Sequence, residues 1–332
     1  MRKQGASLVA VLIFVSAAVI GSCAKPYHEA NERYVFVATN TGLPYWQEVR
    51  EGFMDSAKAL GVRGELIGPT GYSPNAELVT FRQVVEQKPA GICLSAARPD
   101  IFQSEIDKAV AQGIPVICVD ADVPDSKRVM FVGTDNFKAG RETLRKMAAL
   151  VQNKGNIVVI TIPGQGNLDD RLAGAVDTLR NFPGIKITEI LDDKGDAKNA
   201  SDLVGELIQK KEKVDGIICF EATGGSGAAE TLHRLNMEGK LQIVAFDDDP
   251  ETIDWIDRGA IAATIAQKPY VMSYYGLKFL DDLHHNAIHK FKDWRIALTP
   301  PTPTFVDTGT LVLDKSNIKA YREALAAPSG QP

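Results

Sequence analysis

Residues 34–53 read YVFVATNTGLPYWQEVREGF, and the fold follows from how this stretch divides. Tyr34-Val35-Phe36-Val37-Ala38 is an apolar run of strand length. The polar turn Thr39-Asn40-Thr41-Gly42-Leu43 follows it. From Pro44 onward, Trp46, Val49, Phe53 and Ala57 recur at helical spacing. Proline suits the first helical position, where its missing N–H would be unpaired in any case. The stretch is therefore a buried strand, a turn and a helix, the opening unit of a βαβ crossover. The pair Tyr45-Trp46 stands where the helix start meets the carboxyl end of the strand. Open α/β sheets hold ligands at that edge.

The unit repeats. Strand-like segments near 65–67, 91–95, 116–120 and 129–132 alternate with helical segments near 76–87 and 101–112. At Thr134-Asp135-Asn136 the pattern restarts. Helices over 140–151, 169–181, 200–210, 227–235 and 251–258 then alternate with strands over 157–162, 186–191, 216–220, 242–246 and 261–266. Repeated β-α units imply parallel sheets covered by helices on both faces, so the fold class is α/β with two Rossmann-like arrays. A chain of 332 residues accommodates two domains of ordinary size. A helix near 270–283, a stiff proline run at 299–303, a brief strand at 310–313 and a helix near 318–325 remain. They are too few for a domain and are expected to dock on the arrays, with 327–332 a disordered tail.

The composition, 45% hydrophobic and 24% charged, is that of an ordinary globular protein. A net charge of −5 with no basic patch argues against a nucleic-acid partner. The first residues point to export. Arg2 and Lys3 precede the uncharged run ASLVAVLIFVSAAVI at 6–20, followed by Gly21, Ser22 and Cys23. This is the layout of a signal peptide, 1–22, and the run is shorter than a spanning helix requires. The sequence Ile20-Gly21-Ser22-Cys23 resembles a bacterial lipobox, in which Cys23 becomes the lipidated first residue and 23–33 a tether. An ordinary cleaved signal with a chance cysteine is the alternative. Cys93, Cys118 and Cys219 sit in apolar strand-like runs and are expected to be buried free thiols. A Cys93–Cys118 bridge stays open in an oxidising compartment.

Polar groups gather at the strand carboxyl ends: Thr39-Asn40, Ser95, Asp120, Glu221, Asp247-Asp248-Asp249 and Gln267, with Arg171 near a helix start. Carboxylates accept from adjacent hydroxyls, an arginine fork donates to oxygens, and aromatic faces cover the C–H face of a sugar ring. Of the three consecutive aspartates, one is expected to bind and two to cap a helix. Thr223-Gly224-Gly225-Ser226-Gly227 mimics a dinucleotide loop, but Glu230 stands where the third glycine belongs. His285 and His289 lack the glutamate of a His-Glu-x-x-His motif and read as exposed surface histidines. No metal, no cofactor and no nucleophile–base pair is expected.

From Tyr34 to Leu325 the chain resembles the type I periplasmic sugar-binding proteins of ABC importers, the ribose/galactose-binding group. The resemblance rests on Pro44-Tyr45-Trp46, on Gly113-Ile114-Pro115-Val116-Ile117-Cys118-Val119-Asp120, and on Gly133-Thr134-Asp135-Asn136 with Ala139-Gly140. It rests further on Val244-Ala245-Phe246-Asp247 and on residues 259–269, GAIAATIAQKP. It implies two lobes joined by three crossings, here near 134–137, 266–269 and 296–300, which close on a ligand like a flytrap. The lobes would be 34–135 with 268–297, and 136–267 with 298–326. It also implies a monomeric, non-enzymatic protein that binds a small sugar or polyol and hands it to the transmembrane permease. Tyr45 and Trp46 take the places of the ring-stacking aromatics. Asp120 and Asp247 match the hydroxyl-binding aspartates, Arg171 the second-lobe arginine and Gln267 the hinge glutamine. Glu221 falls where the family often has a polar residue. Leu43 replaces an asparagine, Ala121 an arginine and Gly195 an aromatic of ribose binders. Those departures imply a roomier pocket for another sugar or polar ligand. Two other roles remain open, a ligand-sensing partner of a membrane receptor and, more remotely, a secreted nucleotide-dependent enzyme.

Overall fold

The computed structural model describes residues 27–210, 213–288, 292–296 and 300–326. The apolar run at 6–20, Cys23, His289 and the expected tail at 327–332 lie outside the described residues.

The first array comprises β1 (Arg33–Val37), α1 (Pro44–Leu60), β2 (Arg63–Ile67), α2 (Pro74–Glu86), β3 (Gly91–Leu94), α3 (Pro99–Ala111), β4 (Val116–Val119) and β5 (Met130–Gly133). The second begins with α4 (Asn136–Leu150), β6 (Gly155–Thr161), α5 (Gly166–Leu179), β7 (Ile185–Asp192) and α6 (Ala197–Gln209). It continues through β8 (Gly216–Cys219), α7 (Ala222–Arg234), β9 (Gln242–Phe246), α8 (Pro250–Arg258) and β10 (Ala263–Ala266). Last come α9 (Pro269–His284), β11 (Phe305–Asp307), β12 (Leu311–Asp314) and α10 (Ile318–Ala326).

The described residues form two six-stranded sheets, ordered β11-β5-β4-β3-β1-β2 and β12-β10-β9-β8-β6-β7. All pairings are parallel except that of β12 with β10. The orders are equivalent strand for strand, so β4 and β9 hold matching places. The central strands are buried on both faces, and this makes them short apolar runs rather than alternating ones. Each sheet is covered on both faces by a helical layer, which gives two core clusters per lobe.

The chain passes between sheets three times. After β5 it enters the second lobe, and after β10 it returns so that α9 packs on α1 in the first. The third passage was expected near 296–300, but β11 pairs with β5, Phe305 opposite Phe131, and belongs to the first lobe. The crossing therefore lies at 308–310. The Phe305 ring stacks on Phe131 at 5.5 Å, which fixes this edge strand. The crossings are tied to one another: the Thr134 hydroxyl donates to Gln267 Oε1 at 2.7 Å, and the Thr308 amide to the Gly133 carbonyl at 2.8 Å.

The internal cysteines are buried free thiols as expected, which closes the alternative of a bridge, and one further expectation changes. Cys93 and Cys118 are free thiols. Cys93 pairs in register with Ile117, and its side chain packs with Ile117 and Val119 under α1 and α9. Cys118, one residue out of phase, packs on the opposite face with Val116 and Phe102. A bridge would have to pass through the sheet. The stretch at 27–32, expected to be tether, docks on the first lobe: Glu32 is buried and accepts from Tyr34 Oη at 2.9 Å.

Candidate ligand-binding site

The carboxyl ends of both sheets face one cleft, with a cavity of about 60 Å³. Thr39, Asn40, Leu43, Tyr45, Trp46, Tyr72 and Asp120 line it from the first lobe. Ile162, Asn167, Arg171, Gly195, Glu221 and Asp247 line it from the second, and Gln267 from the hinge. All nine residues expected to bind ligand are thus at one place, and all are buried.

Asp120 and Asp247 follow the equivalent strands β4 and β9, and both hold positive φ, 68° and 65°. A non-glycine residue there is uncommon and costs energy, which concentrates at ligand clamps. Asp120 Oδ1 accepts from Tyr45 Oη at 2.7 Å and Oδ2 from Ser95 Oγ at 2.9 Å. Asp247 Oδ1 accepts from Gln267 Nε2 at 2.8 Å. Its Oδ2 has no hydrogen-bond partner among the described residues. Burial pushes both carboxyls above the usual carboxylate range, and Arg171 acts in the opposite direction on each.

Arg171 is the largest fully buried side chain among the described residues, at 1% exposure. Each of its three nitrogens donates one hydrogen bond. Nε donates to Asn136 Oδ1 at 2.9 Å, Nη1 to the Phe220 carbonyl at 2.5 Å and Nη2 to Gln267 Oε1 at 2.8 Å. The guanidinium also lies 4.1 Å over the Phe246 ring. Burial lowers its pKa, against the nearby charge of Asp247 and Asp120. Gln267 is the hub, since its oxygen takes Arg171 and the Thr134 crossing while its nitrogen serves Asp247. Tyr45 and Trp46 meet edge to face at 5.2 Å and form the aromatic wall.

Three carboxyl groups and one guanidinium line the cavity. Such a site accepts more hydrogen bonds than it donates. It suits a neutral ligand rich in hydroxyl donors and opposes a phosphate.

A Periplasmic binding protein domain model matches residues 34–286. The chain belongs to the periplasmic binding protein family. This binding protein is 24% identical over 281 residues to the D-allose-binding periplasmic protein of Escherichia coli, covering 82% of this chain and 90% of that protein. Among solved structures, it is 34% identical to the sugar-binding protein of a sugar ABC transporter from Bacillus halodurans, covering 88% of this chain and 100% of that one, with a TM-score of 0.76. It is 36% identical to AraP, an arabinose binding protein from Geobacillus stearothermophilus, covering 88% and 99%, with a TM-score of 0.73.

The binding protein differs from the sequence expectations at several points. Glu221 lines the cavity, yet its carboxylate caps α7 by accepting from the amides of Thr223 (2.6 Å) and Gly224 and from the Thr223 hydroxyl. The glycine loop that mimics a dinucleotide site is thus the first turn of α7, and its amides already hold a carboxylate. Neither Asp248 nor Asp249 caps α8 through its side chain. Asp248 accepts from Tyr321 Oη; burial raises the Asp249 carboxyl, and the facing Tyr45 amide of the other lobe acts against that. Gly195 does not enlarge the pocket: a Cβ there would stand 3.1 Å from Ile162 Cδ1 and 3.5 Å from Tyr72 Cβ. Tyr72, from the first lobe, occupies that corner. Ala121 is buried and does not line the cavity.

Some residues of the site went unassigned in the sequence. Tyr72 and Asn167 lie in a polar loop and at a helix start, with no motif to mark them. Asp193, fully buried beside Glu221, is pushed up to about 10 by burial and by that neighbour. Its position at the end of an exposed, alternating strand gave no sign of burial.

Proposed function

We propose that this cleft binds a neutral sugar or polyol and that the protein delivers it, as a monomer, to the permease of an ABC importer. The observation that carries the reading is the ring of acceptors, Asp120, Asp247 and Glu221, closing with Arg171 on the wall of Tyr45 and Trp46. In this role Asp247 Oδ2 accepts from ligand hydroxyls. Asp120, Thr39 and Asn40 complete the first-lobe polar contacts, and Gln267 reports ligand to the hinge. Ligand contacts on both lobes favour the closed state over the open one. Relatives named for allose, ribose, xylose and arabinose support a pentose or hexose, and Leu43 at the cavity edge turns the preference away from ribose. The relatives are named as binding proteins, which supports a role without chemistry.

We place the protein outside the cytoplasm, anchored by lipid on Cys23. Among the described residues no helix is long and apolar enough to cross a membrane. Thermal shift and calorimetry against pentoses, hexoses, deoxysugars and polyols test the main reading, because a ligand of the native state raises Tm. At least one sugar or polyol is expected to do so. Silence across that panel together with a shift by a nucleotide overturns it. Cys23→Ala is expected to release the protein from membranes.

A further inference from the structure

His28 and Glu32 lie four residues apart in the segment before β1. Asp281 and His285 lie four apart at the end of α9. The fold sets the two pairs face to face at the amino end of the first sheet, away from the sugar cleft at its carboxyl end. One nitrogen or oxygen from each of the four lies within 4.8 Å of all the others. His28 Nε2 is 3.0 Å from Asp281 Oδ1, and His285 Nε2 is 3.0 Å from Glu32 Oε1 and 3.6 Å from Asp281 Oδ1. The carboxylates are 2% and 4% exposed and the imidazoles 15% and 19%, so the cluster opens outward only on the histidine side. There the Tyr27 ring stacks on His285 at 4.4 Å.

We propose that His28, Glu32, Asp281 and His285 form a tetrahedral site for a divalent transition metal of the Zn²⁺ class. Two imidazoles and two carboxylates match the ligand preference of Zn²⁺, whereas Ca²⁺ and Mg²⁺ take six or more oxygens. Metal–ligand bonds of ~2.0–2.2 Å put tetrahedral ligand atoms roughly 3.3–3.6 Å from each other. The closest approaches here bracket that range, so small side-chain rotations bring the four atoms round one centre. The metal takes the place of the imidazole–carboxylate hydrogen bonds, each neutral imidazole binding through Nε2 with its proton on Nδ1. It also neutralises two acids that are nearly sealed from water. The Tyr34 hydroxyl sits between Glu32 Oε1 (2.9 Å) and Asp281 Oδ1 (3.0 Å) and shares its one proton between them. It orients both carboxylates as a positioning residue. The bound ion staples the chain entering the lobe to α9, a helix contributed from far along the sequence.

The test uses the untagged full-length protein stripped with a chelator, and ZnCl₂ or CoCl₂ alone as probe. The chain has 5 histidines, so background sites are few. Zn²⁺ is expected to raise Tm reversibly, and Co²⁺ to give the intense visible bands of a tetrahedral site. His28→Gln and His285→Gln are expected to lose both signals while keeping the sugar response, which shows that they fold. Tyr34→Phe is expected to weaken Zn²⁺ binding by about 10–100-fold, the usual cost of losing a group that orients a ligand. His233→Gln, at an exposed histidine paired with Glu238, should change nothing. An unchanged Tm with Zn²⁺, or variants that bind Zn²⁺ as tightly as the parent, overturns the proposal.

Discussion

The backbone amide of Tyr45, on the first lobe, faces the carboxyl of Asp249 on the second. Leu43 provides no side-chain cap for α1 and Pro44 has no N–H, so the first turn of the helix is left facing the opposing lobe. Glu48, one turn further along α1, meets Asp248 and Asp249. Burial and these neighbours push Glu48 up to about 7; burial, then Asp248, push Asp249 to about 7 as well.

This contact makes closure pH-dependent. Opening exposes both carboxyls and returns them toward their ordinary range, so the closed state holds protons that the open state releases. Closure is unpenalised where both groups are protonated in either state, and it weakens as pH rises through about 7. Calorimetry on the two sides of that pH should show weaker sugar binding on the alkaline side. Glu48→Gln should flatten the profile. An affinity independent of pH in the parent protein would count against this account.

Asp247→Asn keeps the shape of the side chain and an oxygen for Gln267, but removes the charged acceptor. Hydrogen bonds to charged groups contribute ~1.5–3 kcal/mol, so sugar affinity should fall by about 10–100-fold. Tm without ligand should stay close to that of the parent. Calorimetry with scanning of the unliganded protein reads both.

Arg171→Met removes the donor from the Asn136 and Phe220 oxygens, leaves Gln267 Oε1 to Thr134 alone and takes the counter-charge from Asp247. Breaking a buried charged network by removing one partner typically costs ~3–5 kcal/mol. Denaturant unfolding should show a loss of that order, together with loss of sugar binding. A neutral effect on stability would contradict the geometry of the fork.

Two glycines set the depth of Arg171. A Cβ on Gly140 of α4 would stand 1.8 Å from the Arg171 carbonyl oxygen, and one on Gly174 of α5 2.0 Å from that of Phe137. Gly174→Ala must part the helices and draw Arg171 off its partners. Sugar affinity should fall even though residue 174 touches no ligand. Gly205→Ala, with open space around the added methyl, is the control expected to bind normally.

Local pattern carried much of this in the sequence. The buried strands announced themselves as apolar runs, and the acids at their carboxyl ends followed from topology alone. Tyr45-Trp46 stood out because two large aromatics sat at a helix start. What failed was whatever depends on contacts between distant segments. β11 is three residues with exposed Phe305 and Asp307, so it has no strand signature until β5 pairs with it. Asp249 looked like a helix cap, but its carboxyl faces the other lobe and makes no cap bond. Gly195 suggested space because Tyr72 arrives from across the cleft. His285 read as a surface residue because Glu32 lies 253 positions away and seemed part of a tether.

The three crossings also bear on how the molecule comes into being. A chain emerging amino end first has every strand of the second sheet but β12 before α9 exists to cover the first. Until then the apolar face that α1 and β3–β5 present to α9 has no cover. The first half lacks its edge strand until Asp307 is made, and the second until Asp314. Loop closure over so long an intervening stretch is entropically late. Neither half is complete until both edge strands, β11 and β12, have been made. Truncation near residue 300 would take one strand from each half at once.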